Sequence, residues 1–214
     1  MRVAIRDATR DDAGFIAWAI QEAGRSHLDR GTWDIVLPMP ESERLRFLAE
    51  IALAEARSFC HYGGFLIAEV DGQPISTLSA YVPREANVST FIEAVHGVFE
   101  KAGWSNSRID EIFARFGPLM TCAPKTPDEA WVVEWVATLP AHRGRGHANR
   151  LLEAILERGR DAAFEVSQIG VYIGNTPAQA AYEKVGFEVV EELRHPDFEA
   201  AMGCPGVRRM LQNL

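Results

Sequence analysis

The segment Arg143–Ala148, which reads RGRGHA, connects a strand-like stretch to a helix-like one and says more about the fold than any other part of the chain. Residues 131–138 before it are apolar except for Glu134, a pattern typical of a strand that is covered on both faces. Residues 149–164 after it carry leucine and isoleucine at helical spacing. Because glycines let the backbone approach an anion and the first N–H groups of a helix are free, the sequence predicts a phosphate-binding turn at this junction.

Length and composition predict a single folded domain. The 214 residues are 47% hydrophobic and 24% charged, which is ordinary for a globular protein. The formal net charge of -8 argues against nonspecific binding to nucleic acid or to an anionic membrane. Three scattered cysteines without a CxxC pair, and a start that lacks the apolar core of a signal peptide, favour a reducing, cytoplasmic compartment. We therefore expect a cytoplasmic protein with neither nucleic acid nor a membrane as its partner.

The first part of the chain predicts a strand, two helices and a hairpin. The alternation of apolar and polar residues indicates the strand, and the apolar spacing of the helices is close to their 3.6-residue period. Asp71-Gly72 is a strong turn signal between two strand-like runs. The predicted boundaries are a strand at 3–6, a helix opened by Thr9–Asp12, a helix at 41–57, and hairpin strands at 65–70 and 74–82.

The second part of the chain predicts further helices and strands around the glycine-rich turn. Two helical apolar stripes occur in residues 83–130, one around Phe91 and one around Ile112. Beyond the turn, the pattern alternates between strands and one short helix that Gly186 ends. The predicted boundaries are strands at 131–138, 167–173, 187–193 and 207–214, a helix to about Phe164, a helix at 177–185, and a loop that holds Pro196 and Pro205.

Two motifs in the second part of the chain resemble those of the GNAT superfamily of acetyl-CoA-dependent N-acetyltransferases. The family's Gln/Arg-x-x-Gly-x-Gly/Ala motif matches Arg143–Ala148, and its Asn-x-x-Ala-x-x-x-Tyr-x-x-x-Gly-Phe motif matches Asn175–Phe187. The resemblance covers residues 131–193. It implies one α+β domain over residues 1–214 with the GNAT fold, a central mixed, mostly antiparallel sheet flanked by helices. Residues 83–130 would then be a helical insertion before the fourth strand.

The resemblance also implies acetyl-CoA as cosubstrate. Its diphosphate would lie over the N–H groups of the glycine-rich turn, and its pantetheine arm would pair with the edge of the fourth strand where that strand separates from its neighbour. A main-chain N–H near Val136 would stabilise the thioester oxygen as it gains charge. By resemblance, the cofactor-binding residues are Val136, Ala137, Thr138, Arg143, Gly144, Arg145, Gly146, His147, Ala148, Asn175 and Tyr182.

Glu134 is the candidate general base for the acceptor amine. A lone carboxylate in an apolar strand is costly to bury, and burial would raise its pKa toward the range that is useful for a base. Simple strand alternation places it on the same face as Val136. The alternative is a structural glutamate that an arginine or the backbone satisfies, in which case Asp128 or Glu129 would be the base.

Tyr182 is the candidate acid that protonates the departing thiolate, because it matches the tyrosine that does so in many members of the family. The alternative is a tyrosine whose ring only packs in an amphipathic helix. Asn175 would bind the pantetheine arm or cap the helix that begins near Pro177. Direct transfer from the bound thioester needs no covalent enzyme intermediate.

Several alternatives remain open from the sequence. A dinucleotide-binding reading of the glycine turn is disfavoured because no β-α-β alternation repeats around it. A non-catalytic sensor of coenzyme A would keep the same cofactor residues. The six histidines form no close ligand pair, so no metal cofactor is expected. The acceptor is a small-molecule amine or a peptide amine, and the acidic balance favours a small cationic amine. Residues 83–130 would form a lid or pocket wall, or else a homodimer contact.

Overall fold

A computed structural model describes residues 3–214, and its centre is a mixed sheet of seven strands in the order β1-β2-β3-β4-β5-β7-β6. All neighbours pair antiparallel except β4 and β5, which are parallel, so the predicted mixed, mostly antiparallel sheet is confirmed. The strands are β1 (Val3–Asp7), β2 (Phe65–Val70), β3 (Gln73–Tyr81), β4 (Trp131–Thr138), β5 (Val166–Tyr172), β6 (Glu188–Arg194) and β7 (Gly206–Asn213).

Helices cover both faces of this sheet. In residues 3–214 they are α1 (Ala13–Arg25), α2 (Thr32–Val36), α3 (Glu41–Ala52), α4 (Val88–Lys101), α5 (Asn106–Met120), α6 (His147–Asp161), α7 (Thr176–Lys184) and α8 (Pro196–Met202). Helices α4 and α5 lie in the segment between β3 and β4, where the sequence predicts two helices. Within residues 3–214, no helix has both the length and the apolar character that a bilayer crossing requires.

Helix α1 begins at Ala13, later than the cap at Thr9–Asp12 predicts. The Asp12 carboxylate accepts a hydrogen bond from the Thr9 N–H at 2.8 Å and binds both terminal nitrogens of Arg6 at 2.8 and 2.9 Å. These bonds hold Arg10–Asp12 in a short 3-10 turn, and the α-helix follows it. The capping residues are therefore where the sequence places them, but they cap a tighter turn.

Helix α3 ends at Ala52, before the predicted end at Arg57. The residues beyond Ala52 include good helix formers, so local propensity does not explain the end. Instead the chain turns inward: Cys60 is completely buried, and the Phe59 carbonyl accepts a hydrogen bond from the Trp135 indole at 3.0 Å. Tertiary packing against β4 therefore overrides the helical pattern.

Two short helices were not predicted. Helix α2 has five residues, too few to show a periodic apolar pattern. Helix α8 lies in the predicted loop between Pro196 and Pro205, yet Pro196 is at its start and Gly203 ends it with φ 80. A proline at the first helical position and a glycine just after the last are the usual helix boundaries. The loop prediction was therefore wrong because it read the prolines as helix breakers.

Two apolar clusters lie on the two faces of the sheet. The first, the insert-side cluster, includes Ile16, Phe99 and Phe198 and collects residues from α1, α3, α4, α5 and α8. The second, the α6-side cluster, includes Leu152 and Tyr182 and collects residues from α6 and α7. Strand β4 contributes side chains to both clusters, so it connects the two apolar cores.

Candidate active site

The parallel strands β4 and β5 pair only at their beginnings, from Trp131↔Ser167 to Val133↔Ile169. Beyond these pairs the strands separate. Residues 134–138 of β4 and 170–172 of β5 then line one cavity of about 1010 Å³. This volume is at the upper end of the range of roughly 300–1,000 Å³ for small-molecule sites. The space therefore suits a large ligand together with a second, smaller one.

The glycine-rich turn forms one end of this cavity. Gly144 and Gly146 have φ of 74 and 76, a left-handed conformation that favours glycine, and both line the cavity together with Ala148. Gly146 is the N-cap of α6, and as a glycine it has no side chain with which to cap the helix. By contrast, the Asn87 side chain caps α4 and the Asn175 side chain caps α7. The first N–H groups of α6 are therefore available to an anion.

Three positively charged or titratable residues of the turn have different surroundings. Arg143 lines the cavity, but its Nε donates to the Thr138 carbonyl at 3.0 Å and its Nη2 lies 3.6 Å from the Glu22 carboxylate. Arg145 is exposed and does not line the cavity. His147 is buried away from the lining, and burial, followed by nearby positive charge, lowers its pKa. Among the twelve predicted site residues, Arg145 and His147 are the two that the lining does not include.

Asn175 joins the second motif to helix α1. Its Oδ1 accepts the Ala178 N–H at 3.2 Å, which caps α7 as the sequence predicts, and its Nδ2 donates to the Ser26 hydroxyl at 2.6 Å. Asn149, in the first turn of α6, donates to the Ala181 carbonyl at 2.9 Å. These contacts fix the start of α7 against α1 and α6, so the two sequence motifs share one cavity wall.

A β-bulge in the middle of β4 changes which face each side chain occupies. Thr77 of β3 pairs with Ala137 and Ser79 pairs with Glu134, so β4 holds one more residue than β3 between these pairs. Trp135 lies in the bulge with φ 55, a conformation that costs about 1–3 kcal/mol for a non-glycine residue. Neither Trp135 nor Val136 has a ladder partner on β3, so main-chain groups of the bulge are free to contact a ligand.

The predicted alternation of Glu134 and Val136 was wrong because of this bulge. Trp135 packs in the insert-side cluster, and Glu134 lies beside Cys60 of the same cluster. Val136 packs in the α6-side cluster. Glu134 and Val136 therefore face opposite sides of the sheet, although both line the cavity.

Glu134 has no arginine or lysine partner among residues 3–214. Burial raises the pKa of this carboxyl to about 7, and the nearby Tyr81 hydroxyl opposes the rise. The pairing of β3 with β4 places Tyr81 on the same face of the sheet as Glu134, because its partner Val132 lies two residues before Glu134 on β4. Sequence reasoning missed Tyr81, and counting alternate residues from the Asp71-Gly72 turn would not have found it, because Ile75 and Leu78 both pack in the α6-side cluster and alternation therefore breaks within β3.

Tyr182 is buried in the α6-side cluster and lines the cavity from the other side of the sheet. Its ring meets Phe187 edge to face at 6.4 Å between centroids. Burial raises the pKa of its hydroxyl well above the usual value, so the group stays protonated at neutral pH. Its ring packs as the structural alternative expects, and its position on the lining also suits a proton donor.

Residues of the insert and of α8 form the opposite end of the cavity, and the sequence did not predict them as site residues. We call six of them the aromatic wall: Phe116, Leu119, Trp135, Tyr172, Phe198 and Val207. All six belong to or pack against the insert-side cluster. Asp128 and Glu129, the alternative bases, do not line the cavity, and Glu129 forms an ion pair with Arg84.

Comparison with known proteins places the chain in a family. A family model described as the acetyltransferase (GNAT) family matches residues 32–187. Among curated proteins, none matches the chain. Among solved structures, an acetyltransferase has a TM-score of 0.72 at 20% identity, with 98% of each chain covered. An N-acetyltransferase from Staphylococcus aureus Mu50 has a TM-score of 0.68 at 19% identity, covering 97% of this chain and 99% of that one.

A third structure, from Salmonella typhimurium, is described with acetyl-CoA as its cofactor. Its TM-score is 0.58 at 15% identity, with 100% of this chain and 95% of that one covered. The sheet and the helices around it therefore have the fold of an acetyltransferase. Because the family model matches well over half of the sequence, the chain belongs to the GNAT family, whose members transfer acetyl groups from acetyl-CoA.

Proposed function

We propose that this protein transfers an acetyl group from acetyl-CoA directly to the primary amine of a small acceptor, with Glu134 as general base and Tyr182 as general acid. The observation that carries the proposal is the shared cavity: the uncapped start of α6, the free edge of β4, Glu134 and Tyr182 all line it. In this proposal one GNAT domain spans residues 1–214, with residues 83–130 as an insertion whose α5 end forms part of the cavity wall.

Acetyl-CoA binds at the α6 side of the cavity in this proposal. Its diphosphate accepts hydrogen bonds from the N–H groups of residues 144–148, where the helix dipole favours negative charge. The pantetheine arm lies along the free edge of Val136–Thr138, and Asn175 positions the adjoining α7. Arg143 contributes by fixing the turn to Thr138 rather than as a free cation. Arg145 adds positive potential from the exposed side of the turn, and His147 contributes its backbone N–H.

Acetyl transfer then needs three proton movements. Glu134 accepts a proton from the ammonium group of the acceptor, and its pKa near 7 suits this task at neutral pH. The amine nitrogen attacks the thioester carbon, and the N–H of Val136 in the bulge stabilises the oxygen that becomes negative. The carbon–sulfur bond breaks, and the Tyr182 hydroxyl gives its proton to the departing thiolate, whose conjugate acid has a pKa of roughly 8.5. The attacking nitrogen then loses its second excess proton, which restores the Tyr182 hydroxyl and leaves a neutral amide.

An assay of thiol release from acetyl-CoA with a panel of amines tests the proposal. We expect release above the uncatalysed rate with at least one amine, together with a product that carries the acetyl group on nitrogen. Calorimetry with coenzyme A accompanies the assay. Tight binding of coenzyme A without turnover on any amine or peptide would instead identify a non-catalytic sensor.

A further inference from the structure

We propose that the acceptor is a monoamine with an apolar, aryl or alkyl body and no carboxylate, and that the aromatic wall is the surface that recognises this body. The inference rests on the proposed function, because it assigns the acceptor end of the same cavity. The wall lies on the insert side of the sheet, the face from which Glu134 emerges. An amine directed at Glu134 would therefore place its body against the wall.

The charge of the cavity lining supports an uncharged body. Among residues 3–214, the acidic and basic side chains on the lining, histidine aside, are Glu22, Glu134, Arg143 and Lys184. Glu22 and Arg143 lie near one another and belong to the end with the glycine-rich turn, and Lys184 lies on α7. His27 also lines the cavity and lies close to Gly174, two residues beyond Tyr172 of the wall. Glu134 is thus the charged group that the wall adjoins, and it attracts a cation and repels a carboxylate.

The polar groups of the wall are already paired with other protein groups. The Trp135 indole donates to the Phe59 carbonyl at 3.0 Å. The Tyr172 hydroxyl is 2.8 Å from the Thr32 hydroxyl, and burial raises its pKa to about 12, so it stays neutral. Beyond the one hydroxyl hydrogen that the Tyr172–Thr32 pair leaves unused, these side chains offer a carboxylate no donor, and burying a charge with so little compensation is strongly unfavourable.

Arg209, a cation behind the lining, is also engaged. Gln168 lines the cavity and donates to the Thr126 hydroxyl at 3.1 Å. Its carbonyl oxygen accepts a hydrogen bond from Arg209 at 2.9 Å, and Arg209 also lies 3.8 Å from the Glu191 carboxylate. Arg209 does not line the cavity. Gln168 therefore separates this guanidinium from any acceptor.

The test compares kcat/KM for matched amines at one pH, each rate being referred to the concentration of the ammonium form. The probes are 2-phenylethylamine, L-phenylalanine, L-phenylalaninamide, 1,4-diaminobutane and a short peptide that begins with phenylalanine. We expect 2-phenylethylamine to exceed L-phenylalanine at least about 100-fold. L-phenylalaninamide, which has the size of the amino acid without its charge, should recover most of this loss. Diaminobutane should fall at least about tenfold below 2-phenylethylamine because its second cation has no partner on the wall.

Phe116→Arg and Phe116→Leu form a matched pair of variants, because Phe116 is on the wall and outside the proposed proton-transfer groups. The arginine variant should raise the ratio of L-phenylalanine to 2-phenylethylamine about tenfold, whereas the leucine variant should leave it unchanged. Thermal unfolding followed by circular dichroism shows whether either variant is folded. The comparison of amines on the unaltered protein does not depend on these variants.

The outcomes separate this inference from the proposed function. Turnover in which L-phenylalanine or diaminobutane equals 2-phenylethylamine would overturn the acceptor class and leave acetyl transfer intact. Preference for the peptide would replace the small monoamine by a peptide N-terminus. If no probe is acetylated, calorimetry on the protein loaded with coenzyme A measures the binding of each amine directly. Binding of 2-phenylethylamine but not of L-phenylalanine supports the wall's selectivity, and binding of neither overturns it.

Discussion

The two ends of the cavity differ in how the chain builds them. The end with the glycine-rich turn comes from neighbouring segments, β4, the start of α6 and α7, and its groups are main-chain N–H donors and short side chains. The aromatic wall gathers side chains from β4, α5, β5, α8 and β7, which lie far apart in sequence. In the proposed function the first end contacts one chemical group, phosphate, whereas the second is shaped by the side chains that the insert and the last helix place there. The shared chemistry of a family can therefore reside at one end while acceptor choice resides at the other.

Glu134→Gln should have the largest effect, because it removes the base where the two ends meet. We expect kcat/KM to fall about 10²–10⁴-fold. In the unaltered protein kcat/KM, referred to the ammonium form of the acceptor, should rise with pH and level off above about 7 as Glu134 loses its proton, and the variant should show no change of slope near pH 7. Asp128→Asn, at an exposed carboxylate off the lining, is the control. If Asp128→Asn abolished activity and Glu134→Gln did not, the base would lie outside the cavity.

Tyr182→Phe should lower kcat about 100-fold, the low end for a general acid, because a thiolate is already a fair leaving group. The affinity for coenzyme A should change little, since the ring keeps its packing against Phe187. Steady-state kinetics and calorimetry together separate the two effects. Tyr62→Phe, at a half-buried tyrosine off the lining, is the control. An unchanged kcat in Tyr182→Phe would leave the tyrosine with a packing role alone.

Gly146→Val and Gly103→Val distinguish binding from strain. Both glycines have left-handed φ, 76 and 78, and an added Cβ would meet no atom within 4 Å at either position. Each variant should lose about 1–2 kcal/mol of unfolding free energy, because a side chain is strained in this conformation. Only Gly146→Val should weaken coenzyme A binding, about 10–100-fold by calorimetry, since Gly103 lies between α4 and α5. Equal weakening in both would show that general destabilisation is the cause.

The smallest expected effect concerns stability and pH. The pKa of Glu134 is raised from 4.5 to about 7 in the folded protein, so its proton favours folding below pH 4.5. That contribution is lost as the pH rises through about 7. Glu134→Gln does not titrate, so the unfolding free energy of the variant relative to the unaltered protein should increase by about 1–3 kcal/mol between pH 5 and pH 8. Urea unfolding at the two pH values measures it, and a difference that is constant with pH would contradict the burial of this carboxyl.

The sequence predicted most of the sheet because its signals are local. The Asp71-Gly72 hairpin, the apolar run of β4 and the glycine-rich start of α6 are each specified by adjacent residues, and each is present in the structure. The short helices α2 and α8 were not predicted, because five to seven residues are too few to show a helical period. The early end of α3 was not predicted, because it depends on the burial of Cys60 against residues that are distant in sequence.

The candidate site was predictable to a similar extent. The predicted site residues line one cavity, apart from Arg145 and His147. The bulge at Trp135 carried no sequence signal, because a tryptophan with positive φ is not expected from its residue type. The aromatic wall was not predictable because its members meet only after α5, α8 and β7 have packed together. Local chemistry is thus readable from the sequence, while a surface made of distant side chains is not.

A crystal structure of the complex with coenzyme A tests most directly whether the two ends serve carrier and acceptor. We predict the diphosphate on the N–H groups of residues 144–148 and the sulfur atom beside the Val136 backbone, within reach of the Tyr182 hydroxyl. The space between the sulfur and the aromatic wall should remain open next to Glu134. A diphosphate bound away from the start of α6, or a sulfur atom that points away from Glu134, would contradict this division of the cavity.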